Sequence, residues 1–221
     1  MTARRALALV VLVPALALAG CTQDPSGERS VTDDFETGID SWDKAVDIPQ
    51  DPNRPGENVS WSIESSRDVA QSGDYSANYT LDGSQDDGTI WLVRPLTVEE
   101  DQAYAVNVTA EAWSGSASSN TLAHLVLYLG PQRPLAEEDF PAPGESTTGD
   151  PDATRGGLRE ELDKQEGWRS YGFEWQIPAD HNGTMWAALG ISVVWETEVT
   201  YFVDDLEIQL DPIETGSDRD A

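Results

Sequence analysis

The side chains able to do chemistry in this sequence are few in kind and unevenly placed. One thiol (Cys21), two imidazoles (His124 and His181) and eight tryptophans stand among 41 aspartates and glutamates. Neither histidine has a partner at a metal-ligand spacing, and His181 sits in a polar turn. No Ser/His/Asp or Cys/His set assembles from these positions. Carboxylate pairs of the kind that hydrolyse glycosides, such as Glu111 with Glu174 or Glu196, are easily named. In so acidic a chain, however, such pairs arise by chance.

The aromatic pattern is more specific. Strand alternation puts Trp113 on one face with Asn107, Thr109 and Glu111. It puts His124 and Tyr128 opposite the stripe Ala123, Leu125 and Leu127, and Trp186 with Ala188, Gly190 and Ser192 opposite Leu189, Ile191 and Val193. Aromatic rings on the polar side of a strand suit the flat apolar face of a sugar ring, and planar polar groups beside them suit its hydroxyls. If these strands are neighbours, Trp113, His124, Tyr128 and Trp186 line one concave sheet, with Glu111 and Arg94 nearby. The alternative is packing, since a tryptophan in a sandwich is more often core than platform. Trp61, Trp175 and Trp195 are in phase with apolar stripes and read as core.

The elements that must carry these residues follow a period of two from residue 33 onward. Residues 104–112 alternate apolar and polar side chains, the signature of a half-buried strand. Further strands are predicted at 60–65, 76–81, 89–96, 122–129, 168–177, 184–195 and 200–210. Turn residues separate them, as at Gln71-Ser72-Gly73-Asp74 and Asp180-His181-Asn182-Gly183. Helical periodicity is absent except for a turn or two at 158–165. Many strands with polar turns argue for an all-β, antiparallel sandwich spanning 33–210. Residues 130–167 break the rhythm with a long Pro/Gly-rich acidic stretch, read as a mobile insertion or a functional loop. The tail 211–221 is polar and acidic.

The N-terminus has its own logic. Arg4 and Arg5 precede an apolar run from Ala6 to Ala19, which is too short to span a bilayer, and Leu18-Ala19-Gly20-Cys21 closes it. This layout resembles the lipobox of prokaryotic lipoproteins. The resemblance implies a signal peptide at 1–20, a lipid on Cys21, a flexible tether at 22–32, and a protein held on the cell membrane facing away from the cytoplasm. An ordinary signal peptide with an incidental cysteine is the alternative. Arg4-Arg5 is also compatible with twin-arginine export.

The formal net charge is −28, and lysine occurs only at Lys44 and Lys164. Coulomb repulsion excludes nucleic acid and anionic lipid surfaces as partners. The composition resembles that of proteins from salt-loving archaea, where screening relieves self-repulsion; an acidic surface protein from a GC-rich bacterium is the other source it fits. With one cysteine no internal disulfide can form, so the fold must rest on its core or on a metal.

Three short motifs recur in order. Asp33-Asp34-Phe35-Glu36 opens the domain, Ser72-Gly73-Asp74-Tyr75-Ser76 follows, and Tyr201-Phe202-Val203-Asp204-Asp205-Leu206 closes it. Together they resemble carbohydrate-binding modules with the galactose-binding-like jelly-roll fold. In that family a structural calcium often lies where the first and last strands meet the Ser-Gly turn. The resemblance therefore implies a calcium held by Glu36 and Asp204, with oxygens from Asp34, Ser72 and Asp74, and with Asp205 as alternate. Solvated strand-end acids are the other reading.

The leading expectation is a non-catalytic module that binds polysaccharide or a cell-surface glycan. A structural or protein-interaction lipoprotein of the envelope is the alternative, and a glycan-degrading enzyme comes third. Four asparagines (Asn58, Asn78, Asn107 and Asn182) also stand in Asn-x-Ser/Thr sequons, a pattern that threonine-rich strands generate by accident as well.

Overall fold

The computed structural model describes residues 29–82, 88–195 and 197–214. The segments expected as signal peptide and tether up to residue 28, Cys21 included, together with residues 83–87, Glu196 and the tail from 215, lie outside the described residues. Eleven strands are described: β1 (Arg29–Asp33), β2 (Asp43–Asp47), β3 (Trp61–Ser66), β4 (Ser76–Leu81), β5 (Gly88–Thr97), β6 (Tyr104–Ser114), β7 (Ala123–Gly130), β8 (Gly156–Glu161), β9 (Gly167–Ile177), β10 (Thr184–Val193) and β11 (Val199–Pro212). They form two antiparallel sheets packed face to face. Sheet A runs β3-β4-β11-β6-β9, with β1 also paired to β11; sheet B runs β2-β5-β10-β7-β8.

Alternation builds the core. In β6 the even residues from Tyr104 to Ala112 are buried, and in β9 so are Tyr171, Phe173, Trp175 and Ile177. They meet Ile90, Leu92, Leu125, Leu127, Leu189 and Ile191 of sheet B in one continuous cluster. Burying this many apolar side chains, at about 1.5–3 kcal/mol each, holds the sandwich without a disulfide.

Strand β11 is shared along one edge by two partners in succession. β4 pairs with Val199–Val203 and β1 with Leu206–Leu210. Between them lies a bulge against β6, where Asp205 takes a positive φ of 48°. Aspartate tolerates that left-handed conformation better than most residues.

Four expectations are corrected here. The sheet begins at Arg29, inside the expected tether, because Val31 packs against the core and β1 completes an edge of β11. Residues 158–161 are strand, not helix: Leu158 points into the core opposite Leu127, and its alternation continues across the sheet edge. The stretch 130–167 is a seated element of the fold and not a mobile insertion. It carries a 3₁₀ turn at Glu137–Asp139, strand β8, and buried Phe140, Leu158, Leu162 and Asp163. Trp195, expected in the core, lies beyond the end of β10 and is 50% exposed.

Candidate functional site

The outer face of sheet B carries three of the expected ligand residues in neighbouring strands. Tyr128 pairs with Ala188, His124 with Ser192, and Trp186 with Gly130. Trp91 pairs with Gly190, whose missing side chain leaves the room: a Cβ there would stand 2.1 Å from the Ile90 carbonyl oxygen. This face is closed by the chain itself. Phe140 meets Trp91 edge-on at 5.3 Å and Tyr128 at 6.0 Å, forming a second apolar cluster with Val93, Val126 and Ala188. The Tyr128 hydroxyl donates to the Gln132 carbonyl at 2.6 Å, and Arg133 lies over the Trp186 ring while bonding Asp43.

Glu137 pins the segment. Its carboxylate accepts from Thr89 Oγ1 at 2.5 Å, from Arg159 Nη2 at 2.9 Å and from Ser192 Oγ at 3.4 Å. Its own N–H donates to Asp47 at 2.9 Å. Burial pushes the Glu137 carboxyl up, but these hydroxyl and guanidinium partners together hold it below the usual carboxylate range. Beneath the segment His124 is 5% exposed, and its Nδ1 lacks a hydrogen-bond partner. Burial, reinforced by Arg159, lowers its pKa to about 4, so the ring is neutral.

Trp113 and Glu111 do not join this group. They lie on the outer face of sheet A, the opposite side of the sandwich, because β6 pairs with β9 and β11 and not with β7 or β10. There Trp113 faces Trp168 across one ladder and Phe202 across the other. Trp113 and Phe202 meet edge-on at 5.4 Å. Asn78 and Glu64 continue the line through β4 and β3. The flanking row is Asp204, Glu111 and Ser170. Trp113 and Trp168 keep part of their surface open, and Asn107, Ser170, Glu174 and Gln176 on the same face are exposed. Glu111 pairs with Ser170 and Glu174 with Asn107, four residues apart along the strands. That offsets the two backbones by about 13 Å along the strands.

Alternation had marked Phe202 and Trp168 only as members of strands. Their meeting with Trp113 depends on strand order. Glu137, Phe140 and Arg159 gave no local signal, since they belong to the segment without periodicity.

Arg94 belongs to neither outer face. It is in phase with Ile90 and Leu92 and reaches the edge between the sheets, where Nη1 bonds Asp33 Oδ2 at 3.4 Å and the guanidinium covers Trp42 at 4.4 Å. The Trp42 indole N–H donates to the same carboxylate oxygen at 2.8 Å.

The expected calcium ligands do converge at the bulge of β11. Both oxygens of Asp204, and one oxygen each of Glu36 and Asp34, accept from backbone N–H groups. Glu36 Oε1 accepts from the Asp74 and Tyr75 amides at 2.7 Å each. Gly73 makes this possible: its φ is +59°, and a Cβ would stand 2.3 Å from that oxygen. Asp204 accepts from Gln71 at 2.8 Å, Ser72 at 3.3 Å and Asp205 at 2.9 Å, and Ser72 Oγ donates to Asp205 at 2.7 Å. Asp34 spends Oδ1 on the Glu36 amide. Burial raises the Asp204 carboxyl, against the pull of its three amides. Among the described residues no group of three or more His, Cys, Asp or Glu side chains is placed to hold a metal ion. Calcium takes six to eight oxygens, backbone carbonyls among them, and both Asp204 oxygens are already engaged by amides.

No protein-family profile matches the chain, and no curated protein matches it in sequence. Solved structures are similar over most of the chain's length, at TM-scores below 0.5. TmCBM61 in complex with β-1,4-galactotriose is 13% identical with a TM-score of 0.45, over 79% of this chain and 92% of that one. The CBM22-1 xylan-binding domain of Xyn10C from Paenibacillus barcinonensis is 15% identical with a TM-score of 0.44, over 83% and 95%. A family 11 carbohydrate-binding module from Clostridium thermocellum, in complex with a β-1,3-1,4-mixed-linked tetrasaccharide, is 14% identical with a TM-score of 0.40, over 84% and 96%. The fold described above rests on the chain's own strand pairing and not on these likenesses.

Proposed function

We propose that this chain is a non-catalytic module, anchored by a lipid on Cys21 outside the cytoplasm, that binds a polysaccharide or cell-surface glycan on the outer face of sheet A. The observation that carries the reading is the pair Trp113–Trp168, partly exposed, backed by buried Phe202 and flanked by Asn78, Glu111 and Ser170. Ring faces take the apolar side of a sugar and the amide, carboxylate and hydroxyl take its oxygens. The acidic surroundings favour a neutral glycan over a polyuronate.

Arg29, the first described residue after the tether, pairs with Leu210, eight residues along β11 from Phe202. At strand rise that places the pair roughly 25 Å beyond the point where the tether enters the sheet. The pair therefore lies toward the end of β11 far from residue 29.

Glycan-array binding of residues 22–221 in high salt tests the proposal. Binding that is lost with Trp113→Ala supports it. A blank array, or a profile that Trp113→Ala leaves unchanged, removes it.

The second reading, an envelope lipoprotein that contacts other proteins and has no sugar affinity, is favoured by one observation. The face of sheet B, where His124, Tyr128 and Trp186 meet, is filled by the chain's own Phe140 and Glu137.

A further inference from the structure

The fold sorts the four sequon asparagines into two pairs. Asn78 stands mid-sheet in β4, between Glu64 of β3 and Phe202 of β11, half-buried. Its Oδ1 accepts from the hydroxyl of its own sequon threonine, Thr80, at 3.2 Å. Asn107 is exposed, but its backbone is held between Gln209 of β11 and Glu174 of β9. Neither segment can bend without breaking ladder bonds on both sides.

Asn58 and Asn182 are held otherwise. Asn58 is exposed in the connection from β2 to β3, where an isolated bridge joins it to Gln50. Asn182 is exposed in the turn from β9 to β10. Its Oδ1 accepts the backbone N–H of Thr184 at 3.2 Å, around Gly183 with φ +76°. That Asx turn already folds the asparagine toward the threonine two residues on, the bend that brings amide and hydroxyl side chains together. Among the described residues neither side-chain amide nitrogen makes a hydrogen bond.

We propose that Asn58 and Asn182 are sites of asparagine-linked glycosylation and that Asn78 and Asn107 are not. The donor is an oligosaccharide carried on a lipid phosphate or diphosphate. The asparagine Nδ2 forms a bond to C1 of the sugar, the C1–O bond to phosphate breaks, and the lipid phosphate leaves with that electron pair. The amide gives up one proton to base, and no redox step is involved. Asn78 and Asn107 share the outer face of sheet A with the Trp113 row, whereas Asn58 and Asn182 lie in connections at opposite ends of the sandwich. Modification at the latter two leaves the platform clear.

In the cell this inference rests on the export reading, so the test is made where export plays no part. The folded full chain in detergent, and four synthetic peptides each carrying one sequon, are given to an oligosaccharyltransferase with its lipid-linked donor. Glycopeptide occupancy is then read by mass spectrometry. The peptides should accept comparably, while the folded chain should show at least about tenfold higher occupancy at Asn58 and Asn182 than at Asn78 and Asn107. Thr184→Ala should remove modification at Asn182 alone. Equal occupancy at all four sites in the folded chain overturns the proposal. So does a folded chain unmodified at Asn58 and Asn182, or a failure of those two peptides to accept. Membrane fractionation of the producing cells reports separately on the anchor.

Discussion

Phe140 stands edge-on to Trp91, ring centroids 5.3 Å apart and planes at 76°, across the outer face of sheet B. Trp91 is wholly buried although it points away from the main core. A tryptophan on the outside of a sheet would otherwise meet water, so this contact shows that the segment after β7 is part of the folded core. It also distinguishes the two outer faces, since this one is filled from within while on the other Trp113 and Trp168 stay partly exposed.

Phe140→Ala removes that cover. The loss of a buried aromatic costs about 3–5 kcal/mol, which at this size corresponds to a fall in Tm of roughly 10 °C. Thermal melting by circular dichroism measures it. An unchanged Tm would mean that the segment is not seated on the sheet.

His124 makes stability depend on pH. Its folded pKa of about 4 lies below the ordinary 6.5, so above 6.5 both folded and unfolded chains hold it neutral and its contribution is complete. As pH falls from 6.5 toward 4 the unfolded chain takes a proton that the folded chain refuses, and stability is lost. Below 4 the loss levels off. The total is roughly 3 kcal/mol. His124→Leu should flatten that window relative to wild type in urea melts at pH 7, 5.5 and 4.5. Parallel curves for the two proteins would refute it.

Asp204 should act as a cap for three backbone amides without a cation. Asp204→Ala is expected to cost about 1–3 kcal/mol through the stranded N–H groups. Chelator should leave the wild-type midpoint where it is. A midpoint that drops with chelator and recovers with calcium would show instead that an ion is bound at this junction.

Trp113→Ala and Trp168→Ala should each lower glycan affinity at least about tenfold, equivalent to about 1.4 kcal/mol. Both rings are partly exposed, so melting should change less than for Phe140→Ala. Isothermal titration and thermal melts on the same samples separate the two effects. A large loss of Tm with full binding retained would make the row a packing feature.

Much of the fold was legible because alternation is a local signal. The buried phase of β6, with Tyr104, Val106 and Val108 inward and Asn107 and Glu111 outward, follows from period two, as does the inward stripe of β7. Strands β1, β2 and β8 escaped because each is short and lies at an edge, where only one flank needs a partner. The meeting of Glu36 and Asp204 with the turn at Ser72–Asp74 was implied by the resemblance that the three motifs carry. What fills their oxygens was not, because backbone amides carry no sequence signature.

The linear chain alone settled the composition, the period of its strands and hence the two-layer all-β architecture, since burying one face of each strand leaves few other arrangements. It could not say which strands are neighbours. Trp113 and Tyr128 look equivalent when read along the chain, and strand order sends them to opposite sides of the sandwich. Phe140 looks like a loop residue until sheet B supplies Trp91 beneath it. Side-chain direction is decided within a few residues, but the company a side chain keeps is decided by pairings between residues far apart in sequence.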